Sequence, residues 1–108
     1  MIVNTPKPPY VAAIFTSIRT SIEEGYEEMD AATFAEIQKM EGYLGFEAFR
    51  NTEGFGVNVS YWKDMNSLLG WKNNLLHQKA QELGKDKWYK HYKLRICTVE
   101  RDYEFSKE

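Results

Sequence analysis

Cysteine is almost absent: Cys97 stands alone among 108 residues. An internal disulfide framework is therefore excluded, and the usage fits a reducing compartment. All three prolines, Pro6, Pro8 and Pro9, fall within the first nine residues, where a signal peptide would need an unbroken apolar helix. Long hydrophobic runs are also missing. Val11–Phe15 is the longest, far too short to cross a bilayer. Neither sign of charge dominates, since 14 Lys and Arg against 16 Asp and Glu leave a net −2. That balance gives no general attraction to nucleic acid or to an anionic membrane. Histidine occurs only at 77 and 91, and with Glu100 the pair has no metal-ligand spacing. These absences describe a cytoplasmic domain over residues 10–108 behind a flexible leader at 1–9, with no nucleic-acid or membrane partner expected.

Aromatic rings are what the chain has in quantity. Seven Tyr, six Phe and three Trp make up 15% of it, more than a core of this size needs, so some rings are expected to line a cavity or an interface. The stretch "YVAAIFTSIR" (10–19) is β-branched and aromatic, a strand by composition. Tyr26, Met29, Thr33, Ile37 and Met40 recur at three- and four-residue steps up to Gly42, the pattern of an amphipathic helix within 25–42. "YLGFEAFRN" (43–51) and "FGVNVSYW" (55–62) are separated by only three residues, which predicts an antiparallel hairpin. Asp64 sits where an N-cap belongs, and an apolar stripe from Met65 to Leu83 closes at Gly84. On one straight helix Lys72 would fall in the middle of that stripe, so either the helix bends around "WKNN" (71–74), the favoured reading, or Lys72 snorkels along a groove. The final "WYKHYKLRICTVERDYEF" alternates well beyond the usual strand length of about six residues. Its interleaved basic and aromatic residues are explained by that alternation.

The order βαββαβ predicts an α+β, ferredoxin-like fold, a four-stranded antiparallel sheet with both helices on one face. Val11, Ala13 and Phe15 oppose Tyr10, Ala12, Ile14 and Ile18, and Leu44, Phe46 and Ala48 oppose Tyr43 and Phe49. Both faces are thus apolar, where a solvated face would be polar. A homodimer that covers the open face is the expectation, with the overlong last strand reaching across.

The run from Gly56 to Phe105 resembles the antibiotic biosynthesis monooxygenase domain, a dimeric α+β barrel family. The resemblance rests on G-x-x-V-S-Y-W at 56–62, W-K-N at 71–73, G-x-x-x-W-Y at 84–89 and V-x-R-x-Y-x-F at 99–105. Over the first half it rests on element order and "G-Y-L-G". It implies a cofactor-free oxygenase of a small aromatic or quinol-like molecule with O2 as co-substrate. In the phenol-oxidising branch an Asn and a Trp four apart face the cavity, and Asn58 and Trp62 resemble that pair on one strand face. His77 is the base candidate nearest in sequence, and Trp71, Tyr61 and Trp88 are further candidates for substrate contact. The haem-degrading branch carries a Trp and, ten residues on, an iron-ligating His, with an Asn on the first strand. Trp71 matches, but Gln81 stands at the His position and Phe15 and Thr16 at the Asn position, which disfavours haem. Two other outcomes stay open: a non-catalytic ligand-binding dimer of this fold, and core packing as the whole role of Trp62 and Trp71.

Overall fold

The computed structural model describes residues 2–107. Four strands, β1 (Tyr10–Arg19), β2 (Tyr43–Arg50), β3 (Phe55–Trp62) and β4 (Tyr89–Val99), form one antiparallel sheet in the order β2-β3-β1-β4. Helix α1 (Tyr26–Ile37) connects β1 to β2, and α2 (Met65–Lys72) with α3 (Leu75–Leu83) connects β3 to β4. The ferredoxin-like expectation holds. No helix among the described residues is long and apolar enough to cross a membrane.

The connection after β3 is broken where the buried lysine required it. Asp64 caps α2, its carboxylate accepting from Ser67 N at 2.8 Å. Helix α2 ends at Lys72, which is exposed. Asn74 then caps α3 by accepting from His77 N at 3.1 Å, while its amide donates to Glu36 of α1 at 3.2 Å. A capping asparagine restarts the helix in a new direction, so the ammonium never enters the stripe. Gly84, read as a stop, instead begins a π-helical turn, Gly84–Trp88, that delivers Trp88 to the sheet.

Four rows of side chains cross the helix-covered face of the sheet, since opposed residues in antiparallel strands share a face. They are Tyr43–Trp62–Val11–Thr98, Phe46–Ser60–Ala13–Ile96, Ala48–Asn58–Phe15–Leu94 and Arg50–Gly56–Ser17–Tyr92. Two bulges modify the simple alternation. One, around Leu44, brings Tyr43 to the helix side, where its ring meets Trp62 at 5.6 Å. Tyr43 was expected on the side opposite Phe46. The other bulge, around Lys90, brings Tyr89 to the same side as Tyr92, with Tyr89 paired to Arg19. The core gathers at the Trp62 row: Val11, Ala13, Ile37, Leu68 and Trp71 are buried with Trp62.

On the other face, Tyr10 donates to Asp102 at 2.6 Å and Glu47 accepts from both Val3 N and Tyr61 OH, at 2.9 and 2.7 Å. Chain on both sides of the sheet is thereby tied to it. Paired strand ends at Val99, short of the span the alternation implied, and Tyr103 and Phe105 beyond it are exposed.

Gly42, between α1 and β2, has φ +81°, and a Cβ there would lie 1.9 Å from Ser67 Oγ in the first turn of α2. Replacing Gly42 with Ala adds left-handed strain to a steric conflict. Gly42→Ala is expected to destabilise the fold by roughly 1–3 kcal/mol, read as a lower urea midpoint. An unchanged midpoint would contradict this packing.

Candidate functional site

The residues singled out by sequence are not brought to one place: Trp62, Trp71 and His77 gather at one end of the sheet, Trp88 lies at the other, and Asn58 lies between them. Trp62 is fully buried, with its indole N–H donating to Ser60 Oγ at 2.9 Å. Its ring lies 6.4 Å from Trp71, and Trp71 stacks on His77 at 4.4 Å with 16° between the planes. His77 Nδ1 is 3.1 Å from the carbonyl oxygen of Trp71, so the neutral ring donates there across the break between α2 and α3. Trp62 and Trp71 are buried in this stack, and His77 is half-buried at its outer side. Burial lowers the His77 pKa against that carbonyl contact, which keeps the ring neutral but leaves it facing helix backbone rather than a cavity.

Tyr61 does not share a wall with Asn58 and Trp62, because strand alternation turns it to the opposite face. There its hydroxyl is held by Glu47 and its ring meets Tyr10 edge-on at 6.0 Å. Burial first, then Glu47, raises its pKa to about 12.

Trp88 belongs to the other end, and Asn58 lies between, four residues from Trp62 on β3. Along β1, the eight steps from Val11 to Arg19 separate the Trp62 row from Tyr89 by roughly 27 Å. Asn58 is half-buried and opposes Phe15, and its amide has no hydrogen-bond partner among the described side chains. The Phe15 ring lies 5.3 Å from Tyr89 and 5.1 Å from Tyr92, and Tyr26 of α1 meets both Tyr89 and Trp88 edge-on. The result is a continuous aromatic floor. Trp88 is buried, its N–H donating to the Glu24 carbonyl at 3.0 Å. It forms a wall of two adjoining cavities. An open cleft of about 320 Å³ between α1 and α3 is lined by residues that include Glu28, Met29, Lys79 and Leu83. A smaller hollow of about 50 Å³ under α1 is lined by Tyr26, Met29, Asp30, Thr33, Ala80, Trp88 and Tyr89.

The polar groups at this end were not found by sequence. Arg50 reaches over Gly56, where a Cβ would lie 2.7 Å from its Cζ, and donates to the buried Ser17 hydroxyl at 2.6 Å. Arg19 lies 3.4 Å over the Tyr26 ring, a cation–π contact. Asp30 is exposed, yet its place at the wall of the hollow desolvates it enough to raise its pKa against the opposing fields of Arg50 and Arg19. The available signal for Asp30 was its place four residues after Tyr26, beside the apolar stripe. For Tyr89 there was none, because a bulge leaves no mark in the alternation.

A four-stranded antiparallel sheet with its helices on one face defines the ferredoxin-like class of α+β domains. Within that class the chain belongs to the antibiotic biosynthesis monooxygenase family, whose model matches residues 9–83. It is 37% identical over 98 residues to the uncharacterized protein YqjZ of Bacillus subtilis, across 91% of this chain and 86% of that one. It is 29% identical over 66 residues to the jasmonate monooxygenase ABM of Pyricularia oryzae, covering 59% of this chain but only 31% of that protein. Its fold matches SnoaB, a cofactor-independent oxygenase from Streptomyces nogalater, with a TM-score of 0.73 over 88% of this chain and 97% of SnoaB, at 12% identity.

The His77 pKa gives a pH test of the stack. Because the folded value is lowered, the unfolded chain binds the proton first. The contribution is complete above the unfolded value of about 6.5 and falls as the pH drops below it. The wild-type urea midpoint is expected to fall between about pH 7 and about pH 5.5, and His77→Phe should flatten that fall. Parallel curves would show that His77 is not buried in the stack.

Proposed function

We propose that this protein is a cofactor-independent monooxygenase of a small aromatic or quinol-like molecule, bound on the helix side of the sheet between Asn58 and Trp88. The observation that carries the reading is the Asn58 amide, without a hydrogen-bond partner among the described side chains and paired across the strands with Phe15, whose ring meets Tyr89 and Tyr92. Tyr89 and Trp88 in turn wall the smaller hollow. Family membership and the SnoaB-like fold support it. Without metal or flavin the substrate itself supplies the electrons: a phenol loses its proton, becomes electron-rich, and reacts with O2 to give a quinone and water. Such chemistry needs ring-lined walls, a donor for the developing oxyanion and little water. The Asn58 amide supplies the donor.

A homodimer forms part of this reading. Ile18, Phe49 and Phe55 remain exposed on the face away from the helices, an apolar patch of the kind a second copy covers. A second function, non-catalytic ligand binding in the same cavities, draws on the Trp62–Trp71–His77 stack, which leaves the strongest motif residues to packing.

Oxygen uptake against a panel of hydroquinones and naphthols separates the two. The oxygenase reading expects uptake above the uncatalysed rate, lowered about 10- to 100-fold in kcat/KM by Asn58→Ala. Saturable binding with no uptake on any compound would leave the binding reading. Light scattering on the same samples is expected to give twice the chain mass, and a monomer at micromolar concentration would contradict the dimer.

A further inference from the structure

We propose that Asp30 is the proton acceptor of this site: its carboxylate, at the wall of the hollow under α1, seats the substrate's acidic hydroxyl while the ring lies against Trp88 and Tyr89. The assignment rests on the oxygenase reading for its catalytic meaning and on geometry for its place. Asp30 and Thr33 contribute the polar side of the hollow, and Met29, Ala80, Trp88, Tyr26 and Tyr89 contribute the rest. The Asp30 carboxylate, exposed on α1, makes no hydrogen bond or ion pair with another described residue, whereas the half-buried Glu47 of β2 is held by two donors. An acceptor without a donor beside an aromatic wall matches a planar ring that carries one O–H. The 320 Å³ cleft adjoins through Met29 and Trp88 and gives room for the remainder of a flat molecule.

The electrostatic setting favours this role. Arg50 of β2 and Arg19 of β1 act on Asp30 from the sheet, while Tyr26 of its own helix and Tyr89 of β4 line the hollow. Helix α3 contributes Ala80 and the π-helical turn contributes Trp88, neither of them charged. Desolvation therefore outweighs the two guanidinium groups and raises the Asp30 pKa, which strengthens the carboxylate as a base. In the transfer, the substrate O–H bond breaks, its electron pair stays on the oxygen as a phenolate, and the proton goes to an Asp30 Oδ. No other co-reactant is needed for that step. His77, tied to the Trp71 carbonyl at the far end of the sheet, takes no part.

The test is equilibrium binding to the full chain, followed by tryptophan fluorescence, of 1-naphthol and of naphthalene, which lacks the hydroxyl. Wild type is expected to prefer 1-naphthol about tenfold, the worth of one hydrogen bond to a charged acceptor. Asp30→Ala and Asp30→Asn should bring the two compounds within about twofold, while His77→Phe keeps the preference. Equal binding of the two compounds by wild type, or an unchanged preference in both Asp30 variants, would overturn the assignment. With a turnover substrate, Asp30→Asn should lower kcat far more than it changes KM and remove the acid limb of the pH profile. Naphthol preference without oxygen uptake would end the oxygenase reading and leave Asp30 as the hydroxyl anchor, so the two failures are distinguishable.

Discussion

The stack of Trp62, Trp71 and His77 is the contact on which the rest of the helical layer depends. It joins the last residue of β3 to the last turn of α2 and the first turn of α3. The Nδ1 contact of His77 spans the break between the two helices. Three rings in near-parallel contact bury a large apolar area at one point. From that point α3 runs along the sheet to the π-helical turn, and Trp88 arrives beside Tyr26 and Tyr89. The position of the cavity wall is thus set from the far end of α3. The most conspicuous motif of the sequence acts by packing, and the cavity it positions is built from less conspicuous residues.

This division separates two uses of aromatic side chains in one small domain. At the Trp62 row, the rings of Trp62 and Trp71 are buried against one another and His77 covers Trp71. At the Tyr89 row the rings tilt edge-on around a hollow, their faces and edges partly uncovered, with carboxylate, guanidinium and amide groups close by. The proposed substrate chemistry is assigned to the second setting, because a ligand needs both apolar walls and a few polar groups not already satisfied by the protein.

Much of the fold was legible from period and punctuation. The βαββαβ order followed from alternation and three-four spacing, the Asp64 cap from its position, and the bend at "WKNN" from the cost of burying Lys72. Less of the candidate site was legible, for identifiable physical reasons. The bulges around Leu44 and Lys90 move Tyr43 and Tyr89 to the helix side without changing the sequence pattern. Tyr61, placed with the substrate from its motif, lies on the other face by the same two-residue period that places Asn58. Arg50 and Ser17 meet across Gly56, and Asp30 approaches the sheet from α1. These are long-range relations that periodicity within one segment cannot express. Asn58 and Trp88 entered as candidates through resemblance rather than spacing.

The most direct test of this division is a titration of the three tryptophan indole N–H resonances with 1-naphthol. If the guest sits where the uncovered rings and unpartnered polar groups are, the Trp88 signal moves progressively and those of Trp62 and Trp71 stay in place. Movement confined to Trp62 and Trp71 would put the guest at the Trp62–Trp71–His77 stack and contradict the account.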